Sequence, residues 1–328
     1  MRGEPGHVLI LGANGRFGRH ASAAFLAAGW RVTALVRPGR AEPAPHRLLA
    51  DATDAEALTR AAQGADLIVN ALNPPYPDWA REVPRLTRAV IQAARATGAT
   101  VLLPGNVYNF GSTMPATLTA ATEQAADTAK GAIRRTMERT YAASGVRTIL
   151  LRAGDFIDIA VSGNWFESHI AKRARDGVVI YPGPLDRLHA WAFLPDLARA
   201  AVALAERRDA LAPFADIPFP GHAVTGAGLV AAMEEVLGQR LRVRRFPWTL
   251  VALLSPFSPM PREVREMRYL WEVPHRLDGT AFATLVPDFR PTPLVQALAA
   301  SLAAQGSRRS TQTRRWSEET GRPLPMSR

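Results

Sequence analysis

The chain has 328 residues, 47% of them hydrophobic, which is enough to bury a sizeable core, and it has no cysteine, which excludes disulfides, thiolate zinc sites and a cysteine nucleophile. Its formal net charge of +11 invites a nucleic-acid reading, but part of that charge is local: the last 24 residues, QGSRRSTQTRRWSEETGRPLPMSR, hold six Arg against two Glu. That stretch is polar and aperiodic, so residues 305–328 read as a basic disordered tail and nucleic acid is not an expected partner.

HVLILG (7–12) is a strand-like apolar run, and RFGRHASAAFLAAG reads as a helix closing at Gly29. WRVTALVR (30–37) and HRLLAD (46–51) are the next strands, the latter followed by a short helix that Thr53 or Asp54 can cap. ADLIVNAL (65–72), a helix over 80–98, ATVLLPG (99–105), a long helix over 121–145 and VRTILLRAG (146–154) continue the alternation. Six strands rich in Val, Ile and Leu, separated by helices, predict an α/β fold with a doubly wound parallel (Rossmann) sheet. Beyond 155 the pattern loosens, with helix candidates at 164–176, 195–207, 225–237 and 262–272 and short strands such as VVIYPG and LRVRRF. The expected division is a dinucleotide-binding domain over 1–155, with later strands returning to its sheet, and a smaller substrate lobe over 156–304. FPWTLVALLSPFSPMP (246–261) is broken by prolines and falls short of the roughly 20 apolar residues of a membrane span, so no membrane partner is expected. No secretory h-region precedes the first glycines, which makes a cytoplasmic location the default expectation.

The first strand runs into GANGRFG, with Gly12, Gly15 and Gly18 spaced by three and a helix opening inside the motif. Glycine allows a tight turn and a close backbone approach, and a helix N-terminus offers free N–H groups to a pyrophosphate. Asn14, Arg16 and Phe17 belong to the same loop. An acid at the end of the second strand would select NAD through the ribose 2′-OH; Arg37 stands there, with Arg40 close behind. NADP is therefore the expected cofactor, with NAD the alternative in a chain where arginine is abundant. Asp51 and Ala52 after the third strand, and Ala71, Leu72 and Asn73 after the fourth, are expected along the cofactor, Asp51 either at the adenine amine or as a helix-capping acid. The histidines show neither H-x-H nor HExxH spacing, so no metal site is expected.

These segments, together with NVYNFG after the fifth strand and the helix containing KGAIRRTME, resemble the extended and atypical short-chain dehydrogenase/reductases, the NAD-dependent epimerase/dehydratase family, over roughly residues 7–300. The layout of Lys130, Gly131, Arg134, Met137 and Glu138 resembles a variant of that family. The resemblance implies that Lys130, one of only two lysines in the chain, matches the lysine that binds the nicotinamide ribose. It also implies a catalytic tyrosine four residues earlier and a Ser/Thr after strand five; Ala126 and Pro104 stand there instead. Candidate replacements for the proton-handling group are Tyr108, otherwise an aromatic packed under the loop, and Asp155, otherwise a capping acid; Asn106 is a third polar candidate, and His189 and Trp191 are either pocket residues or packing between strand and helix. The expected function is hydride transfer between NAD(P) and a small carbonyl or hydroxyl substrate with a non-standard proton donor. The alternative is a catalytically silent NAD(P)-binding sensor or scaffold. The expected partner is a small-molecule substrate, and a homodimer is possible.

Overall fold

The computed structural model describes residues 6–36, 47–160 and 162–305. Its first half runs β1 (His7–Leu11), α1 (Arg16–Ala27), β2 (Arg31–Val36), β3 (Arg47–Leu49), α2 (Ala55–Ala61), β4 (Leu67–Asn70), α3 (Trp79–Thr97), β5 (Thr100–Gly105), β6 (Thr117–Leu118), α4 (Ala129–Ala143) and β7 (Thr148–Arg152). The second half runs β8 (Asp155–Ile157), β9 (Val178–Tyr181), β10 (Leu188–Phe193), α5 (Leu194–Ala205), β11 (Phe214–Pro218), β12 (His222–Thr225), α6 (Gly226–Leu237) and β13 (Arg242–Arg245). It continues with α7 (Trp248–Leu254), α8 (Pro259–Glu266), α9 (Tyr269–Glu272), β14 (Arg276–Leu277), α10 (Thr280–Leu285) and a helix over 294–305.

Seven strands form one parallel sheet in the order β11-β7-β5-β4-β1-β2-β3. Side chains of a strand alternate between faces, and β1 divides accordingly: Val8 and Ile10 pack with α1, α5 and α10, while Leu9 and Leu11 pack with α2, α3 and α4. Both faces of the sheet are covered, as the continuously apolar strands require. Chain order reverses between β1 and β4, and in such sheets the crevice at that switch point, beyond the strands' carboxyl ends, is where ligands bind. The three-stranded sheet β12-β10-β8 and the pair β13-β9 lie in the second half, whose buried core joins Phe166, Trp191, Trp271 and Met233 to the closing helix.

Local chemistry decides where the elements depart from the pattern read in the sequence. The helix expected over 121–145 begins only at Ala129, because the Thr128 hydroxyl accepts the Gly131 N–H at 3.1 Å and caps it there. Upstream, Asp127 accepts the Ser112 N–H at 3.0 Å, and a Cβ on Gly111 would lie 2.3 Å from the Ala125 carbonyl, so 121–127 is held against the loop after β5 as irregular chain. The candidate helix at 164–176 resolves into a π-helical turn, Phe166–Ile170, and a 3-10 turn, Ala174–Asp176. Proline does not prevent helix in 246–261: Pro247 is the N-cap of α7 and Pro259 opens α8, positions where the missing N–H costs nothing.

At the carboxyl end of β7, Arg152 is fully buried and gathers five neighbours. Its guanidinium donates to the Asn106 carbonyl at 2.6 Å, Asn109 Oδ1 at 3.1 Å, Glu138 Oε2 at 2.8 Å and Asp216 Oδ1 at 3.1 Å, and its plane lies 4.9 Å from the Phe110 ring centre. Burial opposes the charge, but the two carboxylates raise the guanidinium pKa above its ordinary value. Removing one member of such a cluster strands the others. Arg152→Met is therefore expected to lower unfolding stability by about 3–5 kcal/mol, measured by urea denaturation, and a loss below about 1 kcal/mol would remove Arg152 from this role.

Candidate functional site

The glycine loop is built around backbone contacts that leave no room for side chains. Gly12 has φ +73°, and a Cβ there would lie 2.9 Å from the Ala71 carbonyl; one on Gly18 would lie 2.1 Å from the Gly12 carbonyl. Gly15 N–H closes the turn on the Gly12 carbonyl at 2.8 Å. Gly15 is also the N-cap of α1 and supplies no capping side chain, so the first amides of the helix have no side-chain acceptor from that position. Phe17 is buried beneath the loop and Asn14 is exposed above it. Ala71 and Leu72, following β4, run beside the turn: Ala71 N–H reaches the Leu11 carbonyl at 3.1 Å, and Leu72 N–H reaches Asn70 Oδ1 at 3.3 Å. Asn73 is exposed. Asp51 is exposed and accepts both the Thr53 N–H at 2.9 Å and the Thr53 hydroxyl at 3.0 Å, with Ala52 buried behind it, while Asp54 is the residue that caps α2. Arg37 and Arg40 lie outside the described residues.

Arg16 points away from this cradle toward the second half, where it donates to the Ser162 carbonyl at 2.9 Å and the Gly163 carbonyl at 2.8 Å. The next turn of α1 follows suit, with Arg19 and His20 on Asp158 at 3.0 and 2.7 Å. The helix whose N-terminus faces the crevice is thus tied to the loop after β8.

Lys130 sits in the first turn of α4 with its side chain 1% exposed. Its ammonium is bonded to Glu263 and, at 2.6 Å, to Glu266, both on α8, and it lies 5.2 Å from the centre of the Tyr76 ring. Glu266 also accepts the Lys130 backbone N–H at 2.8 Å. Ala126 lies in the irregular segment before the helix, so the four-residue spacing does not place it one helical turn from Lys130. Its methyl faces the space above Gly131, where a Cβ would meet the Tyr108 carbonyl at 2.4 Å. Arg134, one turn on, is half-buried, donates to the Pro104 carbonyl at 2.6 Å and stacks 6.0 Å from the Trp79 ring. Glu138 is one of the carboxylates on Arg152.

Tyr108 and Tyr76 share a hydrogen bond between hydroxyls at 3.0 Å, and Trp79 stacks on Tyr108 at 6.3 Å. Burial, followed by the neighbouring Tyr76 and Asp155, pushes the Tyr108 phenol well above its ordinary pKa, so it remains protonated at neutral pH. Asn106 accepts the Tyr108 N–H through its side chain at 3.1 Å and shapes this turn. Asp155, at the start of β8, accepts from His189 Nε2 at 2.9 Å. His189 lies flat on Trp271 at 4.3 Å and meets His275 at 4.7 Å, with Trp191 beside it. Burial, then the His189 ring, drives the His275 pKa down to about 3, so that imidazole is neutral. Tyr108 and Asp155 are therefore brought to one neighbourhood, whereas Lys130 is claimed from outside it by α8.

The sequence reading missed Tyr76, Glu263 and Glu266. The signal for the glutamates was present in PREVRE: two carboxylates three residues apart in a helix share a face. Nothing in the sequence told which cation they would meet.

Comparison with known proteins agrees with this architecture. Residues 12–169 match the family model described as NAD(P)H-binding. No curated protein matches the sequence. Among solved structures, a protein of Burkholderia cenocepacia J2315, provisionally described as an epimerase, is 19% identical at a TM-score of 0.75, covering 93% of this chain and 100% of its own. The Bordetella bronchiseptica enzyme WbmH, solved with NAD+, is 17% identical at 0.70 over 91% of this chain and 97% of its own. UDP-glucose 4-epimerase from Bifidobacterium longum, solved with NAD+ and UDP, is 15% identical at 0.70 over 92% and 99%. At these identities the likeness is one of fold: a seven-stranded Rossmann-like α/β sheet flanked by helices, as the sequence pattern led us to expect.

The Lys130 contact generates a direct expectation. In Lys130→Gln, α8 loses the cation that holds its two carboxylates, and proteolytic cleavage within 255–268 should accelerate at least about tenfold, the factor for about 1.4 kcal/mol of local opening. Cleavage at the parent rate would show that α8 is held by other contacts.

Proposed function

We propose that this chain is an NAD(P)-dependent oxidoreductase or epimerase/dehydratase-like enzyme acting on a small carbonyl or hydroxyl substrate. The observation that carries the reading is the glycine cradle: three glycines at positions where a Cβ would press on neighbouring backbone, at the N-terminus of a helix that no side chain caps, beside the switch point of a parallel sheet. A dinucleotide pyrophosphate fits such a surface because it needs backbone N–H donors and close approach. Gly12, Gly15 and Gly18 would hold it, with Asn14 above the loop and Ala71, Leu72 and Asn73 alongside. Asp51 and Ala52 would line the adenosine end, and Arg37 is the candidate partner of a 2′-phosphate, which favours NADP. When bound, the nicotinamide supplies hydride transfer.

The residues at the reactive end then have separable tasks. Tyr108 is protonated and linked to Tyr76, so it can donate a proton to a developing alkoxide and recover it through that hydroxyl pair. Asp155, held by His189, can orient a substrate hydroxyl or take its proton. Two of the three Lys130 N–H donors are on carboxylates, so a ribose competes with Glu263 and Glu266 for this ammonium. That last point favours a second reading, a sensor that holds the dinucleotide and uses it to move α8, with no chemistry; the alanine at 126 points the same way.

Purified protein with NADPH and a panel of aldehydes, ketones and quinones separates the two. Turnover that falls at least about tenfold in Tyr108→Phe or Asp155→Asn fits the enzyme; stoichiometric NADPH binding without turnover fits the sensor. Arg37→Asp is expected to weaken NADPH more than NADH, and equal loss of both would remove Arg37 from cofactor selection.

A further inference from the structure

Nine large hydrophobic side chains are conspicuously exposed among the described residues, and five of them fall within eleven positions: Leu250, Leu253, Leu254, Phe257 and Met260, with Phe257 83% exposed. They occupy the outer side of α7, the turn after it and the first residues of α8, which pack on each other as a helical hairpin. Prolines at 256 and 259 hold the turn between the helices open. The apolar side chains stand on a projecting tip, not in a groove.

Basic residues frame this tip. Arg242, Arg244 and Arg245 on β13 lead into α7 and are exposed, with no ion pair among the described residues. Arg262, Arg265 and Arg268 follow the tip on the other side, also exposed. Glu266 turns inward onto Lys130, Glu263 lies between Lys130 and Arg262 at 3.8 Å, and Glu272 pairs with Arg268 at 2.8 Å, so Arg242, Arg244, Arg245 and Arg265 are the rim cations with no carboxylate partner among the described residues. The outer surface of 242–268 is therefore apolar at the centre and cationic at the rim.

We infer that the α7–α8 hairpin docks on an anionic lipid surface, with Leu253, Leu254 and Phe257 entering the headgroup and acyl boundary and the flanking arginines meeting lipid phosphates. Charge decides the occupant. A second copy would bring two cationic rims together, and the chain's own tail is basic, so both are repelled; an anionic bilayer satisfies the rim and takes up a convex apolar tip. No helix among the described residues is long and apolar enough to cross a membrane, so the contact is peripheral, and the absence of a span, on which the sequence reading expected no membrane partner, does not bear on it. Met260 lies one helical turn before Glu263, so insertion of the tip acts on the helix that holds Lys130.

Co-sedimentation of the full chain with vesicles tests this. Binding is expected to equal parts phosphatidylcholine and phosphatidylglycerol, and at least tenfold weaker binding to phosphatidylcholine alone. Leu253→Ser/Phe257→Ser, which leaves net charge unchanged and alters only exposed side chains, should lose at least tenfold on the anionic vesicles with an unchanged melting temperature. A chain ending at residue 304 should bind like the parent. Equal binding by the double variant, or loss on removing the tail, would overturn the proposal in favour of adsorption by the basic tail. Light scattering that shows a dimer dissolved by the double variant, or vesicle binding by neither protein, would overturn it in favour of a protein partner at the tip.

Discussion

The buried guanidinium of Arg152 is the contact on which the arrangement at the carboxyl edge depends. It joins β7 to β11 through Asp216, to α4 through Glu138 and to the turn after β5 through Asn106 and Asn109. Those are the elements that carry Tyr108, Lys130 and, three residues beyond Arg152, Asp155. A charge taken fully out of water is tolerated only when its donors are filled, so the four segments cannot drift independently. The glycine loop is fixed differently, by the absence of side chains: the Gly12 carbonyl comes so close to Gly18 that only hydrogen fits there. One end of the crevice is thus set by a buried ion cluster and the other by backbone contact.

The two ends differ in readiness. The glycine cradle is formed and its helix N-terminus carries no competing cap. At the other end the lysine that a ribose would need is enclosed by Glu263 and Glu266, and the Tyr108 phenol is held protonated by burial against Tyr76. An ammonium with two carboxylates at close range has its charge matched and two of its three donors taken, so a dinucleotide competes for it with those carboxylates. The hairpin that supplies those carboxylates also carries five of the nine exposed large hydrophobic side chains among the described residues, so a contact made there would act on the helix that holds Lys130.

What the sequence made legible was local. Alternating apolar runs announced the parallel sheet, and the three-residue glycine spacing between a strand and a helix announced the turn, because both are properties of neighbours along the chain. The start of α4 was not legible: the alanine-rich stretch 121–128 has high helix propensity, yet Asp127 is drawn to the Ser112 N–H in the loop after β5 and Thr128 caps the helix at Gly131. The partners of Lys130 lie more than 130 residues away, and Arg152 looked like one more arginine in a chain rich in them. The strand Phe214–Pro218, which completes the sheet, contains an aspartate and a proline and lacks the continuous apolar run of its neighbours. In each case the deciding force is a tertiary contact that no periodicity records.

Hydrogen–deuterium exchange with and without saturating NADPH tests the central claim, that the crevice beside the glycine loop is the dinucleotide site. Slowed exchange is expected for the amides of 15–18 and of 71–76, with faster exchange over 259–266 as Lys130 leaves its glutamates. A separate groove of about 1030 Å³ lies between α3 and α4, lined by Arg88, Arg95, Arg139 and Thr140. Protection confined to 88–96 and 136–144, with the glycine loop and α8 unchanged, would place the dinucleotide in that groove instead.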